Sequence, residues 1–314
     1  MTKTVFIDGE AGTTGLGIRG RLRALDGIAV RSLPEASRKD PRARREMMES
    51  VDLVVLCLPD EAAREAAALV EGLGSRAPRL LDASSAHRVS PGWVYGFPEL
   101  GPGQAEAIAR APRVSNPGCY ATGAVALLRP LVDAGILPAD FAVTIHGISG
   151  YSGGGKGMIA AHESEGGPAF EAYALSLNHK HVPEIRQYSG LSRRPLFLPS
   201  VGHYRQGMLV SVPLFLDDLP GRPTVREICS ALIEHYDGSP HVLVRKCPGS
   251  GRITPEALNN TDLMEIFVFE NEAECQAVLM ARLDNLGKGA SGAAVQNIAL
   301  MLGRSRVMAE FACD

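Results

Sequence analysis

The sequence predicts an α/β fold: a doubly wound parallel sheet over the first 118 residues, then a less regular α+β region. Three observations carry this. Up to residue 118, short apolar runs alternate with segments of helical period. One of these runs, Leu53-Val-Val-Leu-Cys-Leu58, is apolar throughout, as a strand covered on both faces of a parallel sheet must be. Beyond Cys119 the texture changes, and residues 208–215 and 263–269 alternate apolar and polar side chains, the pattern of half-buried antiparallel strands.

Taken in order, residues 4–8 read as a buried strand and 14–25 as a helix that follows a glycine turn. Residues 28–33 form a second strand, 42–50 a short charged helix, 53–58 a central strand, 61–73 a helix with apolar residues at helical spacing, and 79–82 a further strand. After Cys119, residues 121–134 read as a helix and 141–148 as a strand. A glycine-rich loop over 147–157 follows, then several Pro-bounded strands, and a last helix over 289–302.

Composition narrows the function. The 314 residues carry 32 Lys plus Arg against 35 Asp plus Glu, so there is no basic excess with which to hold a nucleic-acid backbone. The longest apolar run has six residues, whereas a membrane-spanning helix needs roughly 20. The opening Met1-Thr-Lys-Thr-Val-Phe-Ile-Asp8 leads straight into a strand-like run, so no secretion signal is expected. Six cysteines (57, 119, 229, 247, 275 and 313) are scattered without a CxxC pair. This argues against a zinc knuckle or a disulfide framework and for a reducing, cytoplasmic setting with no metal.

The first site candidate is Gly9-Glu-Ala-Gly12-Thr13-Thr14-Gly15, a GxxGxxG turn between a strand and a helix. Glycines there let the chain turn tightly and let a pyrophosphate approach the N–H groups of a helix N-terminus, as in a Rossmann-type dinucleotide site. NAD sites place an Asp or Glu at the end of the second strand, and NADP sites place cations and hydroxyls. Here Val30-Arg31-Ser32-Leu33 is followed by Arg38 and Lys39, which favours NADP, against the plainer reading of those cations as a solvated loop.

The second candidate is Ser115-Asn-Pro-Gly-Cys-Tyr-Ala-Thr122, in which an Asn-Pro-Gly turn delivers Cys119 to the start of a helix. Aligned backbone dipoles at that position favour the thiolate, so Cys119 reads as a nucleophile. Cys57, by contrast, falls in a core strand. Asn178-His179-Lys-His181 offers two histidines, either of which could serve as acid/base partner; a surface pair or metal ligands are the alternatives. Two other motifs fail. Gly150-Tyr-Ser152-Gly-Gly154 fits a serine-hydrolase elbow but is followed by glycines rather than a helix former, and Gly150–Lys156 fits a P-loop but has Gly157 where a magnesium-binding hydroxyl belongs.

These motifs, together with Leu81-Asp-Ala-Ser-Ser-Ala-His-Arg88, Tyr95-Gly-Phe-Pro-Glu-Leu100, Gly147-Ile-Ser-Gly-Tyr-Ser-Gly-Gly-Gly-Lys156, His179-Lys-His-Val-Pro-Glu-Ile185 and Asp284-Asn-Leu-Gly-Lys-Gly289, run in order along the chain. In them the chain resembles the N-acetyl-gamma-glutamyl-phosphate reductases of the shorter bacterial type, relatives of the aspartate-semialdehyde dehydrogenases. The resemblance implies an NADP-binding domain over 1–118 and 288–314, and a catalytic and oligomerisation domain with a mixed sheet over 119–287. It also implies a cytoplasmic homodimer or homotetramer acting on N-acetyl-glutamyl phosphate, the third step of arginine biosynthesis. On matched positions Cys119 is the nucleophile and His179 the acid/base. Arg88, Asn116, Ser149, Gly150, His181 and Glu184 fall to the substrate. Gly9, Gly12, Thr13, Thr14, Gly15, Ser32, Arg38, Lys39, Ser84 and Asn285 fall to the cofactor.

Overall fold

The computed structural model describes residues 2–304. They divide into two compact units. The first holds residues up to Pro98, then Gly103–Asn116, and the chain from Ala293 on; the second holds Glu99–Pro102 and Pro117–Gly292. Apart from the short Glu99–Pro102 excursion, the chain changes unit at Asn116/Pro117 and Gly292/Ala293, against the 118/119 and 287/288 that the sequence suggests. Cys313 and the rest of 305–314, assigned above to the nucleotide domain, lie outside the described residues.

The first unit is built on a six-stranded sheet: β1 (Lys3–Asp8), β2 (Ile28–Arg31), β3 (Leu53–Leu56), β4 (Arg79–Asp82), β5 (Val94–Tyr95) and β6 (Arg113–Ser115). Its strand order is β2-β1-β3-β4-β6-β5 and every pairing is parallel. The connecting helices are α1 (Thr13–Leu22), α2 (Pro41–Glu49), α3 (Asp60–Glu71) and α4 (Gln104–Arg110). Because side chains alternate along a strand, β1 feeds two cores. Val5 and Ile7 pack with Ile18 and Leu22 of α1, while Phe6 packs on the other face with Met48 of α2 and Ala63, Ala66 and Val70 of α3. All four residues of β3 are fully buried, each contributing about 1.5–3 kcal/mol through transfer from water. Helices on both faces make this the doubly wound, Rossmann-type sheet that the apolar runs predict.

The second unit begins with α5 (Cys119–Asp133) and then runs β7 (Thr144–Gly150), α6 (Gly155–Ser164), β8 (Phe170–Ala172), α7 (Val182–Tyr188), β9 (Leu196–Gly202), β10 (Met208–Phe215), α8 (Val225–His235), β11 (Val242–Val244), β12 (Met264–Asn271) and β13 (Gln276–Leu283). Seven strands form a mixed sheet in the order β11-β12-β13-β10-β7-β9-β8. β11 with β12 and β7 with β9 are parallel, and the other pairs antiparallel. α9 (Gly292–Met301) closes the described chain, and its Ala294, Val295 and Ile298 join the core around Val5 and Ile7.

One expectation is corrected here. The stretch 147–157 is not an irregular loop. Its first residues end β7, Tyr151–Gly154 makes a 3-10 turn, and α6 starts at Gly155. The helix formers Met158 to Glu163 lie past the glycines and propagate the helix back to them. Gly147 owes its identity to packing: a Cβ there would lie 2.5 Å from the Tyr120 ring.

Candidate active site

In the first unit, β1 delivers the chain into the glycine turn. Gly9 has φ +89°, and a Cβ on it would sit 2.3 Å from the Cys57 carbonyl oxygen, so only glycine fits. A Cβ on Gly12 would meet nothing nearer than the Gly9 carbonyl oxygen at 3.5 Å. The fold itself therefore does not demand glycine at position 12, whereas a pyrophosphate approaching the backbone would. Gly12 caps α1, whose first turn opens with Thr13 and Thr14 and contains no acidic residue to repel an anion. Beside the turn is a hollow lined by the apolar Phe6, Leu33 and Leu58 together with the charged Asp8, Glu10 and Arg38.

At the end of β2 the expected cations behave differently. Arg38 donates from Nη2 to Glu10 Oε1 at 2.9 Å, and Ser32 Oγ donates to Glu10 Oε2 at 2.7 Å; Lys39 is exposed. Arg19 of α1 also reaches Glu10 Oε2 and lies 2.6 Å from Ser32 Oγ. Neither Glu10 nor Arg19 was singled out from sequence.

After β4, the buried Asp82 organises the next turn. It accepts from the Ser84 N–H and hydroxyl, both at 2.8 Å, and its Oδ2 lies 2.6 Å from His87 Nδ1. Ser84, expected to touch cofactor, thus commits its hydroxyl to shaping this turn. Arg88 is buried and donates from Nε to the Asn116 carbonyl at 3.0 Å. Asn297 of α9, unremarked in the sequence, donates to the Asn116 side chain at 3.1 Å and to the Gly96 carbonyl at 2.8 Å.

In the second unit, Cys119 is the first residue of α5, with Gly118 as its N-cap. The turn is held from outside: the Gly118 N–H donates to Glu184 Oε1 at 2.7 Å, and the Thr122 hydroxyl donates to the Gly118 carbonyl at 3.0 Å. Eleven of the fifteen residues of α5 are buried, which fixes the helix and therefore the thiol. His179 and His181 lie in neither a strand nor a helix but in the turn that leads into α7, their rings edge-to-face at 4.6 Å. His179 Nδ1 accepts the backbone N–H of His181 at 3.1 Å, so the neutral ring carries its proton on Nε2, 3.4 Å from the Tyr173 hydroxyl. The Tyr120 and Phe197 rings pack edge-on against the same imidazole.

Burial pushes Tyr173 up to about 12; a hydrogen bond with Tyr120 opposes this and the charge of a Cys119 thiolate adds to it. Tyr173, which no sequence motif marked, is therefore a neutral neighbour of both the thiol and the imidazole. Asn285 is clamped at both ends. Its Oδ1 accepts the Gly207 N–H at 2.8 Å and its Nδ2 donates to Ser152 Oγ at 3.0 Å. That bond and its burial engage Ser152, the serine of the rejected elbow. Ser149 is buried at the end of β7, donating to the Gly150 carbonyl at 3.0 Å. Among the described residues no group of three or more His, Cys, Asp or Glu could hold a metal ion, and no helix is long and apolar enough to cross a membrane.

Comparison with known proteins places these features. Residues 28–110 match the NAD binding domain of semialdehyde dehydrogenase, and residues 119–285 match its dimerisation domain. A reductase of Pseudomonas putida named N-acetyl-gamma-glutamyl-phosphate reductase 2 is 52% identical over 308 residues, 96% of this chain and 97% of its own. An N-acetyl-gamma-glutamyl-phosphate reductase from a Chelativorans species is 52% identical over 309 residues, 96% of this chain and 99% of its own. The chain belongs to the N-acetyl-gamma-glutamyl-phosphate reductase family. It is an enzyme, an oxidoreductase, and its nucleotide unit points to a nicotinamide cofactor. In fold it is similar to aspartate semialdehyde dehydrogenase II from Vibrio cholerae, with a TM-score of 0.71 at 17% identity, covering 96% of this chain and 99% of that one.

Proposed function

We propose that this member of the family reduces N-acetyl-L-glutamyl 5-phosphate to N-acetyl-L-glutamate 5-semialdehyde with NADPH, releasing phosphate, as the third step of arginine biosynthesis from glutamate. The observation that carries the reading is Cys119 at the first position of α5, its charge felt by Tyr173, whose hydroxyl is 3.4 Å from His179 Nε2. The unit built on the parallel sheet binds the nucleotide, and the unit built on the mixed sheet carries catalysis and self-association into a cytoplasmic homo-oligomer.

The Gly9–Gly15 turn and the first N–H groups of α1 would hold the nucleotide's pyrophosphate, and Ser32 and Arg38 would hold its 2′-phosphate. When bound, NADPH supplies the hydride. The chain's own residues do the rest. The Cys119 thiolate attacks the acyl carbon, a C–S bond forms, and the C–O bond to phosphate breaks with its electron pair leaving on phosphate, which also takes up the proton the overall reaction consumes. The product of this half is a thioacyl group on Cys119. Arg88, with Asn116 beside it, is assigned to the substrate's phosphate, and His181, Ser149, Gly150 and Glu184 to the substrate's remaining contacts. Charge developing on the acyl oxygen is stabilised by donation from His179 Nε2–H and from the first-turn N–H groups of α5. Once the carbon is reduced, the C=O bond re-forms, the C–S bond breaks, and the thiolate departs with the bonding electrons. Asn285 positions the chain at Ser152 and Gly207 for this step.

The reverse reaction tests the proposal: enzyme, NADP and N-acetylglutamate semialdehyde, with and without phosphate or arsenate, followed by the absorbance of NADPH. Phosphate-dependent NADPH formation is expected. A flat trace with folded, nucleotide-binding protein, alongside activity on another semialdehyde, would reassign the substrate.

A further inference from the structure

The residues expected to take a 2′-phosphate already hold an anion, and it belongs to the protein. Glu10 lies inside the glycine turn with its side chain only 11% exposed. One carboxylate oxygen receives the Ser32 hydroxyl at 2.7 Å and an Arg19 guanidinium nitrogen, and the other receives Arg38 Nη2 at 2.9 Å. Three stretches of chain therefore converge on one carboxylate: α1 through Arg19, the residue directly after β2 through Ser32, and the turn beyond it through Arg38. This is the donor set that recognises a phosphate monoester, two guanidinium groups and a hydroxyl. It is also where NAD sites put an acidic side chain from the end of the second strand to accept the ribose 2′-hydroxyl. Here the acid arrives from the first turn instead.

We propose that Glu10 is a specificity-determining residue for the cofactor, its carboxylate competing with the 2′-phosphate for Ser32 and Arg38 and so narrowing the preference for NADP over NAD. This rests on the assignment of Ser32 and Arg38 to the 2′-phosphate. The charges give the direction. Two guanidinium groups and one carboxylate leave a local charge of +1, against a phosphate monoester of about −1.5 to −2 near neutrality. Replacing Glu10 by Gln keeps its size and its acceptor oxygen, removes the competing charge and frees Arg38. The same change does nothing for a 2′-hydroxyl, which loses an acceptor if anything.

The test is calorimetric titration of the full chain with adenosine 2′,5′-bisphosphate and with 5′-AMP, compared between wild type and Glu10→Gln. The variant is expected to bind the bisphosphate about tenfold tighter, with a much smaller change for AMP and a steeper loss of bisphosphate affinity with added salt. In an Arg38→Ala background the gain should disappear. Unchanged or weaker bisphosphate binding by folded Glu10→Gln would overturn the proposal, because Glu10 would then serve to hold the donors in place. If Glu10→Gln fails to fold, Glu10→Ser is read by the same criterion. The two readings separate cleanly. Wild type with no preference for the bisphosphate removes the NADPH assignment even if Glu10→Gln gains one. Wild type with a preference that Glu10→Gln leaves unaltered removes only the role of Glu10.

Discussion

Glu184 and Gly118 are joined by a 2.7 Å hydrogen bond in which a carboxylate 1% exposed accepts the backbone N–H of the residue that caps the Cys119 helix. A side chain of α7 thereby sets the turn that aims the thiol. Glu184→Ala would strand that N–H in the interior, at a cost of about 1–3 kcal/mol, whereas Glu184→Gln keeps an acceptor in reach. Ala should therefore lower both Tm and kcat, and Gln should recover most of the Tm. Thermal unfolding and steady-state rates on the two variants check this.

The cysteines should differ sharply in reactivity. Burial pushes the Cys57 thiol up to about 12, with the Asp82 and Asp8 charges adding to the shift, so it remains a thiol at neutral and mildly alkaline pH. Cys119 heads a helix with no acid in its first turn. Brief iodoacetamide treatment followed by peptide mass spectrometry should show Cys119 modified and Cys57 untouched. Cys119→Ala should abolish turnover and leave nucleotide affinity intact; phosphate-dependent turnover in that variant would remove the nucleophile assignment.

His179→Asn is expected to fold and to lose roughly 10²-fold or more in kcat, since the donor at Nε2 is gone. Tyr173→Phe should cost less and report on pH in a separate way. An unfolded tyrosine loses its proton near pH 10, whereas Tyr173 in the fold holds it until about 12. Between those values the unfolded state has given up a proton that the folded state retains, so stability falls as pH rises through this window. Tyr173→Phe should flatten that fall, read by urea unfolding at a series of alkaline pH values.

Lys288 is fully buried, its Nζ 2.8 Å from both oxygens of Glu99, which is itself almost enclosed. Removing Lys288 takes from the enclosed Glu99 carboxylate the ammonium group that both of its oxygens accept from. Lys288→Met should cost about 3–5 kcal/mol by urea unfolding, and Lys288→Met with Glu99→Gln should recover part of it.

What the sequence revealed follows from the range of the forces involved. Arg79–Asp82 and Met208–Phe215 were readable to the residue because strand period and flanking breakers are local signals, while the helix expected over 121–134 starts two residues earlier, at Cys119, and ends at Asp133. The strand expected over 141–148 instead runs Thr144–Gly150, because Phe141 is taken into a turn by its N–H bond to the Pro138 carbonyl. The glycine run hid α6, since its helix formers come later. The Glu10 cluster and the Tyr173–His179 pairing were not legible. Glu10 meets its partners 9, 22 and 28 positions away, across a turn, a helix and a strand end. Tyr173 precedes His179 by six residues of irregular chain, a spacing that no period marks.

The return of α9 to the parallel sheet has a consequence for biosynthesis. Ala294, Val295 and Ile298 belong to the core around Val5 and Ile7, yet they are translated almost three hundred codons later. While the ribosome is still making the second unit, that face of the first unit's sheet has α1 against it but lacks α9, which completes its core. The nascent chain must carry part of that apolar surface uncovered until α9 emerges, so the unit built on the parallel sheet completes its core only after the second unit has been synthesised.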